Sequence, residues 1–211
     1  MDTGAVVFAG IHCEQRYSIG SSFMLFNKSP LAIAIRESKK RGLCISDNYC
    51  TNKYQDEMLT RFVIEICGEN FKFSSCKEIL DKKCLKISLF LFYYLFKKKV
   101  FSYYTLGWVE YNHNEHYRFT LDDFDSAMHR SYTPENHVHG WVTLKDGYII
   151  DLTFLTTLGE CGRNDSILVI RDYPAILKSR KIDYHHMIVT TTPLDLLQKL
   201  GFSVFDDWRP R

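Results

Sequence analysis

The sequence predicts an α+β fold in which a buried central helix packs on an antiparallel sheet. Helical segments come first and strand-like segments follow, instead of alternating with them as in βαβ units. Residues 87–96 (ISLFLFYYLF) are apolar on nearly every face, which is typical of a helix enclosed by a core. Lys145-Asp146-Gly147 separates two strand-like segments and indicates a β-hairpin.

Composition supports one globular domain. The chain has 211 residues, of which 45% are hydrophobic and 15% aromatic, so it carries enough apolar residues to exclude disorder. No linker divides it, and we expect an N-terminal helical and strand region (1–75), a core (76–154) and C-terminal strands with a helix (155–211). The net charge of +2 does not favour a nucleic-acid surface.

The first half predicts two amphipathic helices beside short strands at 5–11 and 23–26. Residues 30–41 begin with proline, end with basic residues and precede Gly42, and apolar residues recur at helical spacing over 54–66 before Gly68. The segment 87–96 is too short to cross a bilayer, which needs about 20 residues. We therefore expect a buried helix with Lys97, Lys98 and Lys99 at its C-terminus, and no integral membrane segment.

The second half predicts mainly strands. We expect a strand at 100–111, a long polar excursion at 112–136 containing one helical turn, and hairpin strands at 137–144 and 148–154. The tail adds strands at 167–170 and 185–189, a helix at 173–180, and a helix at 193–200 with Thr192 as its N-cap.

The cysteines indicate reduced thiols in a cytoplasmic protein. There are seven, an odd number, without the spacing of a disulfide scaffold or a paired metal site. The N-terminus has no signal-peptide pattern, and no phosphate-binding glycine loop occurs, which disfavours nucleotide chemistry. No cofactor is implied.

Three residues could together carry nucleophilic catalysis. Cys84 opens the apolar helix, where helix-terminal amides and a neighbouring histidine favour the thiolate. His139 begins the first hairpin strand and could act as general base and acid. Asp151, twelve residues later on the second hairpin strand, could orient the imidazole.

The turn type decides whether the last two residues meet. With a three-residue turn at 145–147, Asp151 faces Trp141 and becomes a diagonal neighbour of His139. With a two-residue turn Asp151 would face Val142, and its carboxylate would lie on the other side of the sheet.

The stretches CLKISLFLFYYLFKKKVFSYYTLGWVEY and HGWVTLKDGYIIDLT resemble the transglutaminase-like, papain-like cysteine protease superfamily, and locally the leader peptidases of lasso-peptide maturation. The resemblance covers about residues 76–154. It implies a Cys84–His139–Asp151 triad and a thiol-dependent hydrolase or acyltransferase that acts on a peptide or protein substrate. Two features depart from the pattern: Gly140 replaces the usual alanine, and 55 residues separate Cys84 from His139.

Three alternatives stay open. Cys76 competes with Cys84, because Ser75 and Glu78 form a capping box that would start the helix earlier. His137 and His139 have metal-ligand spacing on a strand, so a zinc or iron site is one alternative function. A non-catalytic interaction protein with the same fold is another.

Overall fold

The computed structural model describes residues 29–46, 83–130, 138–145, 147–158, 168–171 and 182–202. The strands predicted at 5–11 and 23–26, the helices predicted at 54–66 and 173–180, and the residues Cys76 and His137 lie outside these ranges. The described part is an α+β structure with an antiparallel sheet, as predicted.

The first described helix, α1, spans Pro30–Lys40 and confirms the prediction for this segment. The Ser29 hydroxyl caps it by accepting a hydrogen bond from the amide of Ala32 at 3.2 Å. Gly42 has a φ of 69° just beyond the helix, the left-handed conformation that glycine adopts most easily.

The apolar helix, α2, spans Cys84–Lys97 and begins directly after its N-cap, Lys83. Cys84 is thus the first helical residue and does not lie two turns inside the helix. Burial is less complete than predicted, because Tyr93 is 39% and Phe96 46% exposed. These two residues share the face that points away from the sheet, whereas Leu91 and Leu95 are fully buried.

The sheet is built around a long central strand, β1 (Ser102–Tyr111). One edge of β1 pairs with β3 (His139–Leu144) and, farther along, with β2 (Asn114–His116). The other edge pairs with β6 (Ile182–Thr190), whereas β4 (Tyr148–Asp151) and β5 (Leu168–Arg171) continue the sheet beyond β3. All these pairings are antiparallel, and β6 is longer than the predicted 185–189.

Apolar clusters cover both faces of the sheet, as the alternation of strand side chains requires, and a third cluster beside α1 contains Leu31, Tyr103 and Val189. Val142 and Ile150 face α2 and pack with its buried leucines. Trp141 and Ile149 point the other way and pack with Tyr184. The hairpin strands are therefore buried on both sides.

The prediction of a loop with one helical turn at 112–136 is wrong. A two-residue turn at Asn112 and His113, with φ of 50° and 65°, joins β1 to β2, and a helix, α3, follows at Leu121–Arg130. Thr120 and Asp123 cap α3 reciprocally, with each side chain accepting from the other's amide. This capping box was readable in the sequence.

The predicted strand 148–154 ends early, at Asp151, and a short helix, α4, spans Phe154–Leu158. The cause is local, because the Asp151 carboxylate accepts hydrogen bonds from the amides of Thr153 and Phe154 and so turns the chain.

The last described helix, α5, spans Pro193–Lys199. Thr192 stands at its N-cap, as predicted, although its side chain makes no capping hydrogen bond. None of the helices within the described ranges is long and apolar enough to cross a membrane.

Candidate active site

The β3–β4 hairpin has the register that a three-residue turn predicts. Val142 pairs with Ile150 and Thr143 with Ile149, which puts Trp141 opposite Asp151. Gly147 has a φ of 89°, and its amide donates to the Leu144 carbonyl at 2.9 Å. The Asp151 side chain consequently lies on the same face of the sheet as His139.

His139 and Asp151 form a buried pair. Nε2 of His139 lies 2.6 Å from Oδ2 of Asp151, and both side chains are 0% exposed. An ionised carboxylate can only accept, so Nε2 carries the proton and donates it in this hydrogen bond. The other ring nitrogen, Nδ1, takes no part in this hydrogen bond and is available to the Cys84 thiol.

Five hydrogen bonds from described residues hold the Asp151 carboxylate. Oδ1 accepts from the amide and hydroxyl of Thr153 and from the amide of Phe154, at 2.8, 3.1 and 3.1 Å. Oδ2 accepts from His139 and from the hydroxyl of Tyr184, the latter at 2.9 Å. A carboxylate with this many donors keeps its charge even when it is fully buried.

The electrostatics of the pair favour its charged form. Burial disfavours charge on the ring and is the largest single influence on the pKa of His139, but the charges of Asp151 and Cys84 and the hydrogen bond to Asp151 outweigh it and raise that pKa to about 10. Burial also works to raise the pKa of Asp151, yet His139, Thr153 and Tyr184 together lower it below 3.8.

Cys84 lies at the start of α2, half-buried, with its thiol 4.0 Å from the Val138 carbonyl. The thiol is close enough to His139 to raise the pKa of the ring. The contact is looser than a full hydrogen bond, because Nδ1 of His139 has no such partner among the described residues. The three predicted site residues are therefore neighbours, in the order Cys84, His139, Asp151.

Aromatic side chains surround the imidazole. Tyr117 stacks on the His139 ring with 5.1 Å between ring centres and 18° between ring planes, and Phe154 packs edge-on at 5.7 Å. Trp141 lies at 5.8 Å. The ring is sealed from solvent on these sides, and Cys84 is the half-exposed member of the group.

Sequence reasoning missed two tyrosines of the site. Tyr184 comes from β6 and reaches Asp151 across the face of the sheet. Tyr104, on β1, donates from its hydroxyl to the Leu85 carbonyl at 3.1 Å, and burial together with the charge of Cys84 raises its pKa well above the ordinary value. No local signal marks either residue, because both contacts join distant segments.

Gly140 has a packing role at the junction of helix and sheet. A Cβ atom on Gly140 would lie 2.9 Å from Cδ2 of Leu85 and 3.2 Å from the Tyr104 hydroxyl. The Gly140 carbonyl also accepts from the Ser88 hydroxyl at 2.7 Å. Glycine here lets the first turn of α2 approach β3 closely, which accounts for the departure from the alanine of the resembled pattern.

Two further histidines on β6 stay outside the Cys84–His139–Asp151 group. His186 is buried, its Nε2 lies 3.3 Å from the Thr143 hydroxyl, and burial lowers its pKa to about 3. His185 stacks flat on Trp108 at 3.7 Å. They point to opposite faces, as the side chains of neighbouring strand residues do.

The metal alternative gains no support within the described residues. None of their histidine, cysteine, aspartate and glutamate side chains form a group of three or more placed to hold a metal ion. His137, the other half of the His-x-His pair, lies outside the described ranges.

Comparison with known proteins adds no assignment. No protein-family model matches the sequence, and neither a curated protein nor a solved structure is significantly similar to it. The class of the protein is therefore argued from its own residues.

Proposed function

We propose that the protein is a thiol-dependent hydrolase or acyltransferase that acts on a peptide or side-chain amide through Cys84, His139 and Asp151. The observation that carries the proposal is the buried His139–Asp151 hydrogen bond of 2.6 Å, with the thiol of Cys84 beside the same imidazole. Buried carboxylate, imidazole and thiol in this order are the parts that nucleophilic acyl transfer requires.

The residues would act in sequence. The Cys84 thiol first gives its proton to His139, where the raised pKa of the ring holds it before substrate arrives, and the Cys84 sulfur then attacks the substrate carbonyl carbon to form a tetrahedral oxyanion. Collapse of this intermediate breaks the C–N bond, and His139 returns the proton to the leaving amine. Water, or another nucleophile in an acyl transfer, then attacks the thioester and frees the thiol.

Asp151 would stabilise the imidazolium that forms in the first step. Its low pKa and five hydrogen bonds keep it an anion while the proton resides on His139. For the oxyanion, the amides at the start of α2 would serve as donors, because the side chain of the N-cap residue Lys83 makes no hydrogen bond to them.

The wider architecture is consistent with a papain-like, transglutaminase-like fold, which we include in the proposal. A helix that begins at the nucleophile packs on an antiparallel sheet, and neighbouring strands of that sheet carry the histidine and the aspartate. The local similarity to leader peptidases makes peptide maturation one setting in which such an enzyme would act.

Cysteine alkylation tests the proposal. We expect iodoacetamide at pH 7 to label Cys84 about tenfold or more faster than Cys44, because an ordinary thiol is mostly protonated at this pH. Cys44 is an exposed free thiol of the same chain and serves as the internal reference. His139→Ala should bring the rate at Cys84 down towards that of Cys44, as measured by mass spectrometry of the digested protein.

Equal labelling of the two cysteines, unchanged by His139→Ala, would contradict the enzyme proposal. That result would favour the alternative of a non-catalytic interaction protein with the same fold.

A further inference from the structure

Tyr184 contacts the buried pair from a distant strand. Its hydroxyl donates to Oδ2 of Asp151 at 2.9 Å, the same oxygen that accepts from His139. Tyr184 is 2% exposed, and its ring packs edge-on against Trp141 at 5.0 Å. Because β6 and β4 are separated by β1 and β3, this side chain spans the face of the sheet to reach the carboxylate.

The two oxygens of Asp151 are held differently. Oδ1 is fixed by the local turn through Thr153 and Phe154, whereas the donors to Oδ2 among the described residues are His139 and Tyr184. Without the Tyr184 hydroxyl, the imidazole would be the remaining donor to Oδ2 from the described part of the chain, and the carboxylate could pivot about its Oδ1 anchor. A hydrogen bond to a charged group is stronger than one between neutral groups, so the loss of this bond would affect the orientation of the carboxylate.

We propose that Tyr184 is a positioning residue of the site, whose hydroxyl holds the Asp151 carboxylate in the orientation that presents Oδ2 to His139. The effect of this positioning on catalysis rests on the proposed Cys84–His139–Asp151 chemistry. Among the described residues, the titratable groups that contact Asp151 are His139 from β3 and Tyr184 from β6.

The first experiment needs no reaction at Cys84. We expect Tyr184→Phe to raise the pKa of Asp151 by about one unit, because one charged hydrogen bond is lost. The carboxyl titration is followed by NMR of protein labelled with ¹³C at aspartate, and the Asp151 signal is assigned by its loss in Asp151→Asn. Phenylalanine keeps the ring packed against Trp141.

Tyr103→Phe is the matched control, because Tyr103 is also a buried tyrosine but lies in the cluster beside α1. It should leave the Asp151 titration unchanged. An unshifted titration in Tyr184→Phe, or an equal shift in Tyr103→Phe, would overturn the inference.

The second experiment measures the alkylation rate of Cys84 against pH. In Tyr184→Phe the acidic limb of this profile should move to higher pH together with the carboxyl titration. In the Asp151→Asn variant, the further substitution Tyr184→Phe should leave the alkylation rate of Cys84 unchanged. If Tyr184 had only a structural role, Tyr184→Phe would slow the alkylation of Cys84 by the same factor in the wild type and in Asp151→Asn. That result would overturn the positioning role.

The two proposals fail separately. If Cys84 reacts no faster than Cys44 in the wild type, the proposed function fails, whereas the carboxyl titration still decides whether Tyr184 holds Asp151.

Discussion

At the residue scale, Asp151 is the side chain with most consequences. It ends β4, turns the chain into α4 and accepts a hydrogen bond from Nε2 of His139. A buried carboxylate is stable only when donors surround it, and here the donors come from its own turn and from two other strands. Local structure and site geometry therefore depend on the same side chain.

Charge at the pair predicts how stability changes with pH. The folded-state pKa of His139 is raised from 6.5 to about 10. Its contribution to the free energy of unfolding is therefore complete below pH 6.5 and is lost as the pH rises through 10. The pKa of Asp151 is lowered, so its contribution is present above pH 3.8 and is lost as the pH falls through the lowered value. The pair thus stabilises the fold most between pH 3.8 and 6.5.

Asp151→Asn should reduce the free energy of unfolding by about 3–5 kcal/mol at pH 6, because it leaves the buried imidazole without its counter-charge. The deficit should shrink as the pH rises to 9, as measured by urea denaturation at each pH. Asp122→Asn, at an exposed site on α3, should have a small effect that hardly changes over this range. A deficit in Asp151→Asn that is constant from pH 5 to 9 would contradict the linkage.

At the scale of elements, the attachment of α2 to the sheet positions the nucleophile. The Ser88 hydroxyl donates to the Gly140 carbonyl at 2.7 Å, one turn after Cys84, and Tyr104 donates to the carbonyl of Leu85. Both bonds join the first turns of the helix to the strands that border His139. They fix the start of α2 relative to β1 and β3.

Ser88→Ala should lower the free energy of unfolding by about 1–2 kcal/mol, because a buried hydrogen bond between helix and sheet is lost. Ser102→Ala provides the control, since the buried Ser102 hydroxyl has no hydrogen-bond partner among the described residues. Its loss should be neutral or slightly stabilising. Equal destabilisation by the two variants in urea denaturation would show that the Ser88 contact has no special role.

The elements also show what could be predicted from sequence. The terminal residues were sufficient to predict α1, the all-apolar segment to predict α2 and the strand composition to predict β1. Turn chemistry was sufficient for the register that places Asp151 opposite Trp141. The helix α3 was missed because its acidic, polar residues were interpreted as a loop, although Leu121, Phe124 and Met128 recur at helical spacing and the Thr120–Asp123 capping pair marked its start. The end of β4 was missed because a side chain, and not the strand pattern, turns the chain there.

At the scale of the whole molecule, the site depends on contacts that no local pattern encodes. Cys84, His139 and Asp151 could be chosen from helix position, strand period and resemblance. Tyr184 and Tyr117 could not, because β6 and the end of β2 approach the hairpin only through the complete sheet order. Long-range pairing around β1 is what encloses the imidazole.

The central claim is that Cys84, His139 and Asp151 act as one unit. A double-mutant cycle on the alkylation rate of Cys84 tests it most directly, with His139→Ala, Asp151→Asn and the double variant measured at pH 7 beside Cys44 as the internal reference. If Asp151 acts through His139, either single variant slows the reaction and the second substitution adds almost nothing to His139→Ala. Fully additive effects, or rates at Cys84 equal to those at Cys44 in every variant, would contradict the account.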